Sequence, residues 1–113
     1  MPDTLYHWTS CSDCRRVRGA LSEAGLEVVE RDFFQRPLSR EEIEELARLG
    51  GGMSRIFSFR SPSLRGLGLE RSVAVPEPRL VELILEDPRR LRRPLLARSD
   101  RLLVGAPEIL ASL

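Results

Sequence analysis

The sequence predicts an α/β fold: a βαβ unit at the start of the chain, a β-hairpin and helix at its end, and a helical segment between them. Three observations carry this reading. The first residues pass from a short apolar run to a helical pattern and back to an apolar run, as a parallel crossover requires. The middle has helical spacing broken by glycine and proline. Near the end, two apolar runs flank Ser99-Asp100, a turn pair.

Taken in order, residues 4 to 8 read as a strand, and residues 12 to 24 as a helix stopped by Gly25, since glycine takes the left-handed conformation that ends helices. Leu26 to Phe34, with Val28-Val29 and Phe33-Phe34 among charges, reads as a second strand and its exit. Ser39 is a good N-cap, Glu41-Glu42 suit a first turn, and Ile43, Leu46, Ala47 and Leu49 keep helical spacing up to Gly50-Gly51-Gly52. Residues 53 to 76 read as short helical turns and loops. Pro76-Glu77-Pro78 opens a helix that stops before Pro88. Arg93 to Ala97 and Arg101 to Gly105 form the hairpin, and a last helix starts at Pro107.

A chain of 113 residues suits one domain, residues 1 to 113, with the helical insertion at about 36 to 90. Hydrophobic residues make up 42% and charged residues 31%, a globular composition that excludes disordered and fibrous classes. No apolar stretch reaches the length of a membrane span, and Met1-Pro2-Asp3-Thr4 does not resemble a signal peptide, so a cytoplasmic location is expected. The net charge is +1, with the 18 basic residues, all arginine, spread among 17 acids. That leaves no basic footprint for direct nucleic-acid binding.

Cys11-Ser12-Asp13-Cys14 holds the chain's 2 cysteines. In a reducing compartment such a pair is more often catalytic, regulatory or metal-binding than structural. It stands between a strand and a helix start, where outward-pointing N–H groups favour a thiolate; Arg15 and Arg16 add to that and Asp13 opposes it. Two bland alternatives stay open: incidental cysteines, and half of a zinc site completed by carboxylates or a second protomer. No metal is expected. His7 either raises the thiolate fraction of Cys11 or is structural. Trp8 reads as packing beside the cysteine loop rather than a substrate platform. The acidic run from Glu41 to Glu45 reads as a solvated helix face.

The motifs resemble those of the arsenate reductase family of the ArsC and Spx type, within the thioredoxin-like superfamily, over nearly all of the chain. His7, Cys11 and Arg15 fall at the H-x3-C-x3-R spacing of the arsenate reductases, and Cys14 supplies the second thiol typical of the Spx branch. Glu30 to Phe34 and Leu38-Ser39 continue the likeness. Ile56 to Ser61 resembles a segment that supplies an arginine in the Spx and YffB-like branches, and Asp87-Pro88 with Leu91 to Leu96 resembles the P-x-L-x-R-R-P signature.

The resemblance implies a thioredoxin-like fold, a four-stranded mixed sheet flanked by helices, with an inserted helical segment. It implies a thiol-disulfide oxidoreductase in which Cys11 attacks and Cys14 resolves, with His7 and Arg15 in the catalytic group. Ser12, Arg60, Arg93 and Pro94 would form the substrate site, Arg60 and Arg93 holding an oxyanion and Pro94 following a cis peptide bond. Without the family motif, the two arginines could equally be solvated or paired with acids such as Glu41. The expected substrate is a small oxyanion, arsenate among them, or a disulfide. No resident cofactor is expected; glutathione serves as co-substrate, and glutaredoxin or thioredoxin as partner to a monomer. One departure is Ala106, where arsenate reductases carry a further arginine. The alternative is a redox-switched regulator that binds the C-terminal domain of the RNA polymerase alpha chain, since Gly52 matches a glycine used in that contact in Spx. The chain ends at Leu113 without the long extension of those regulators, which sets the enzyme first in expectation.

Overall fold

The computed structural model describes residues 3–69 and 75–113. They form two compact units, one of residues 1–37 and 93–113 and the other of residues 38–92.

In the first unit the sheet is built from β1 (Asp3–His7), β2 (Val28–Asp32), β3 (Leu95–Ala97) and β4 (Leu102–Val104). Its order is β2-β1-β3-β4. β1 runs parallel to β2, with His7 opposite Asp32, and antiparallel to β3, with Leu5 opposite Leu96. Between β1 and β2 lies α1 (Ser12–Glu23), whose buried Cys14, Val17 and Leu21 mark one helical stripe. Val17 and Leu21 of that stripe, Leu5, Leu96 and Leu103 of the sheet, and Ala106 and Ile109 of α5 (Ala106–Ala111) make one core. The thioredoxin-like sheet and its flanking helices follow from this alternation of strand and amphipathic helix.

In the second unit, α2 (Arg40–Gly50) opens with a reciprocal cap. Glu42 N–H donates to Ser39 Oγ at 3.1 Å, and Ser39 N–H donates to the Glu42 carboxylate at 3.0 Å. Gly51 ends it at φ 89°, a left-handed conformation. The short α3 (Met53–Ile56) and α4 (Glu77–Glu86) follow, with 3-10 turns at Pro62–Leu64 and Pro88–Arg90. Ile43, Leu46, Met53, Ile56, Phe57, Leu80, Leu83 and Leu91 are buried in this unit.

The differences from the sequence reading lie at element ends. Trp8 lies beyond β1, because the chain turns there to deliver Cys11. The last helix begins at Ala106, one residue before Pro107, and the hairpin strands are shorter than expected at three residues each. The expected turns and loops of residues 53 to 76 are seen for residues 53–69; residues 70–74 lie outside the described residues.

Candidate functional site

The site grows from a turn. Cys11 N–H donates to the Trp8 carbonyl at 3.0 Å, so Thr9 and Ser10 reverse the chain between β1 and α1. This makes Cys11 the N-cap of α1, with extended backbone angles of φ −88° and ψ 124°. Its Sγ does what a serine or aspartate oxygen does at other helices: it accepts the Cys14 N–H, at 3.4 Å. Both cysteines are free thiols; Cys11 is half-buried, and Cys14 is 0% exposed on the inner stripe of α1. Burial pushes the Cys14 thiol up to about 12, helped by its hydrogen bond to Cys11, while the Trp8 backbone and the Arg93 charge pull the other way. The two sulfurs are therefore unequal: one sits at the helix start near the surface, the other is held neutral behind it.

His7 is buried on β1, and its Nδ1 has no hydrogen-bond partner among the described residues. Burial and the Arg18 charge hold its pKa below the ordinary value against the pull of Glu30 and Asp32, so the ring is neutral near pH 7. Arg18, half-buried on α1, pairs with Glu30 of β2. The two basic residues that follow Cys14 each have a partner near the loop. Arg15 Nη1 donates to the Thr9 carbonyl at 3.1 Å, and Arg16 lies 3.8 Å from Asp13. Ser12, exposed, is the first residue of α1.

Arg93 belongs to the same unit as the cysteines. Its guanidinium carbon stands 5.4 Å from the Trp8 ring centre and 5.6 Å from that of Phe34. Those two rings stack at 4.3 Å with an interplanar angle of 16°. The Arg93–Pro94 peptide is cis, as the family likeness implied. Arg60 is exposed in the other unit, where it lines a cleft of about 250 Å³ with Ser54, Ser58 and Arg92 over a buried Phe57. Ala106 is 2% exposed in the core of the first unit, a methyl group where a further guanidinium was at issue.

Sequence reasoning missed two residues. Asp32, at the end of β2, accepts three backbone N–H groups: Thr9 at 3.2 Å, Phe34 at 2.9 Å and Gln35 at 3.2 Å. Burial opposes its charge, yet these N–H groups outweigh it and hold the carboxyl below the usual range. An Asp at a strand exit, directly before a turn, was the available signal. Arg90, 9% exposed in the second unit, donates to the Leu83 carbonyl at 3.0 Å, Ser63 Oγ at 3.1 Å and the Ser63 carbonyl at 3.1 Å. Among the described residues no group of three or more His, Cys, Asp or Glu side chains converges as a metal site would need.

A dithiol at the N-terminus of the first helix of a thioredoxin-like unit, with a cis-proline in the same unit, defines a class of thiol-based redox proteins. The ArsC family profile matches residues 6–109, and the chain belongs to the ArsC family. The global transcriptional regulator Spx of Listeria monocytogenes is 39% identical over 106 residues, covering 93% of this chain and 80% of its own length. The regulatory protein MgsR of Bacillus subtilis is 33% identical over 104 residues, covering 90% and 81%. Among solved structures, a putative arsenate reductase from Yersinia pestis superposes with a TM-score of 0.83 over 97% of both chains at 18% identity. A putative ArsC family related protein from Bacteroides fragilis gives 0.80 over 93% of this chain and 90% of its own at 21% identity. At such identities the structural likeness speaks for the fold.

Proposed function

We propose that this protein is a thiol-disulfide oxidoreductase in which Cys11 attacks and Cys14 resolves. The observation that carries it is the pairing of a half-buried Cys11 Sγ, capping α1 and accepting the Cys14 N–H, with a fully buried Cys14. In the first step the Cys11 thiolate attacks one sulfur of a disulfide, RS–SR′, forming Cys11–S–S–R and releasing R′S⁻. Cys14, deprotonated to solvent or to the departing thiolate, then attacks the Cys11 sulfur, forming the Cys11–Cys14 disulfide and releasing RS⁻. Two electrons have passed from the dithiol to the substrate, and an external dithiol or two glutathione molecules restore them.

The order of steps has an electrostatic basis. The Cys11 charge and its hydrogen bond are among the influences that keep Cys14 protonated. Once Cys11 is a neutral mixed disulfide, both are gone; burial, the largest cause, still holds the Cys14 thiol up, opposed by the Trp8 backbone and Arg93. Attack at Cys11 thus removes part of what keeps the resolver protonated. Ser12, His7, Arg15, Arg93 and Pro94 frame this chemistry. Arsenate is the oxyanion substrate to test, with glutathione and glutaredoxin or thioredoxin as electron donors, in the cytoplasm and on a monomer without resident cofactor. The experiment is NADPH-coupled turnover of arsenate and of a small disulfide by wild type, Cys11→Ser and Cys14→Ser, with each donor system. Turnover that vanishes in Cys11→Ser supports the enzyme; no turnover with any donor refutes it.

A second reading rests on different observations. The relatives at 33 to 39% identity bear the names of regulators. In the second unit, Gly52, at φ 128°, lines a cleft of about 490 Å³ with Ala47, Arg48, Met53, Glu77 and Val81. In this reading the cleft takes the C-terminal domain of the RNA polymerase alpha chain, and the Cys11–Cys14 disulfide is the switch. A pull-down with that domain under oxidising and reducing conditions tests it. Absence of binding in both states rejects the regulator.

A further inference from the structure

We propose that Asp32 is the positioning residue of the redox loop: its carboxylate fixes the Thr9 peptide in the turn that presents Cys11 at the start of α1. The inference rests on the redox reading of the Cys11–Cys14 pair and names a residue that reading does not contain.

The turn from Trp8 to Cys11 is closed by a single backbone hydrogen bond, and Thr9 is its first inner residue. A tight turn has two inner residues whose backbone angles set its course, and rotation at Thr9 swings everything that follows. Here both backbone polar groups of Thr9 are held. Its N–H donates to Asp32 Oδ2 at 3.2 Å, and its carbonyl accepts from Arg15 at 3.1 Å. The other carboxylate oxygen, Oδ1, takes the N–H groups of Phe34 at 2.9 Å and Gln35 at 3.2 Å. One anion therefore ties the cysteine turn to the segment that carries Phe34, whose ring stacks on Trp8 beneath Arg93. A carboxylate suits this post because it accepts several N–H groups at once and holds them more strongly than a neutral acceptor does.

The clamp matters more to the dithiol than to the disulfide. In the dithiol, non-covalent contacts alone keep Cys11 over the first turn of α1. In the disulfide, the S–S bond to Cys14 does that work, and the clamp is partly redundant. Loss of the clamp therefore weakens the reduced form more than the oxidised form, and the pair becomes easier to oxidise. A carboxylate that acted only through its charge has the opposite signature, because removing a negative charge near a thiolate favours the reduced form. The direction of the change in redox equilibrium separates the two.

The test is the equilibrium of the Cys11–Cys14 pair with defined glutathione buffers, read by mass after acid quench, in wild type, Asp32→Asn, Asp32→Glu and Thr9→Pro. Asp32→Asn cannot hold all three N–H groups in the present arrangement, and it should shift the equilibrium toward disulfide about tenfold, the scale of one charge-assisted hydrogen bond. That corresponds to a potential about 30 mV more negative. Asp32→Glu, which keeps the charge and displaces the oxygens by one methylene, should shift the same way. Proline is at home at the first inner position of a turn and has no N–H for Asp32 to hold. In the Thr9→Pro background, Asp32→Asn should then leave the equilibrium unchanged.

A shift toward dithiol in Asp32→Asn, or one of equal size with and without Thr9→Pro, overturns the inference. Asp32→Glu carries the test if Asp32→Asn does not fold; a wild-type equilibrium in Asp32→Glu then overturns it. The underlying redox reading fails separately, by a wild-type protein that forms no Cys11–Cys14 disulfide in any buffer.

Discussion

Brief exposure of the folded protein to iodoacetamide at pH 8 should label Cys11 and leave Cys14 untouched. The reacting species is the thiolate. A free cysteine, with a pKa of roughly 8.5, is about one quarter ionised at that pH. Cys14, pushed up to about 12, is ionised to about one part in ten thousand at four pH units below that value. Its thiolate population is thus lower than that of a free thiol by a factor on the order of a thousand. It is also 0% exposed, so the reagent meets it only through an opening of the loop. Cys11, at the rim of the same loop, is only half-buried and lacks that protection. The assay is peptide mapping of time points, with a guanidinium-denatured control in which both cysteines react. Labelling of Cys14 in the native protein within tenfold of its denatured rate would refute the burial argument and, with it, the assignment of Cys14 as the protected partner.

Other consequences follow from the same geometry. Between about pH 9 and 12 the unfolded state gives up the Cys14 proton and the folded state keeps it, so wild-type stability should fall as pH rises. The slope is up to about 1.4 kcal/mol per pH unit, measured by urea titration, and should be absent in Cys14→Ala. For His7, held neutral by burial, the unfolded state binds the extra proton; stability should decline as pH drops from about 6.5 toward the lower folded value, and His7→Gln should flatten that decline. Arg90→Ala strands the carbonyls of Leu83 and Ser63 in a buried corner of the second unit. It should cost about 2 to 5 kcal/mol in chemical denaturation, against well under about 1 for an exposed arginine such as Arg65.

The parts legible in the sequence share a feature: their causes are local. The cap at Ser39 needs only Glu42 three residues on, and the spacing of Ile43, Leu46 and Ala47 needs only the helical period. The dithiol stood out because its two members are neighbours in the chain. The cis bond at Pro94 came from the family motif, not from the physics of the segment. What stayed hidden is brought together by the fold. Asp32 meets Thr9 because β2 lies beside β1, a separation of 23 residues. Arg90 differs from the chain's exposed arginines by its burial, against carbonyls no local pattern announces. Arg15 reaches back to the Thr9 carbonyl and Arg16 pairs with Asp13, contacts that the basic run by itself does not announce.

The most direct test of the central claim is to trap the first covalent intermediate. Cys14→Ser and Cys11→Ser are each mixed with oxidised glutathione or a disulfide-bonded peptide, quenched in acid and mapped by mass spectrometry. A stable mixed disulfide on Cys11 in Cys14→Ser, none on Cys14 in Cys11→Ser, and an intramolecular Cys11–Cys14 disulfide in wild type are the predicted results. An adduct on Cys14, or an unmodified Cys11 under the same conditions, contradicts the account.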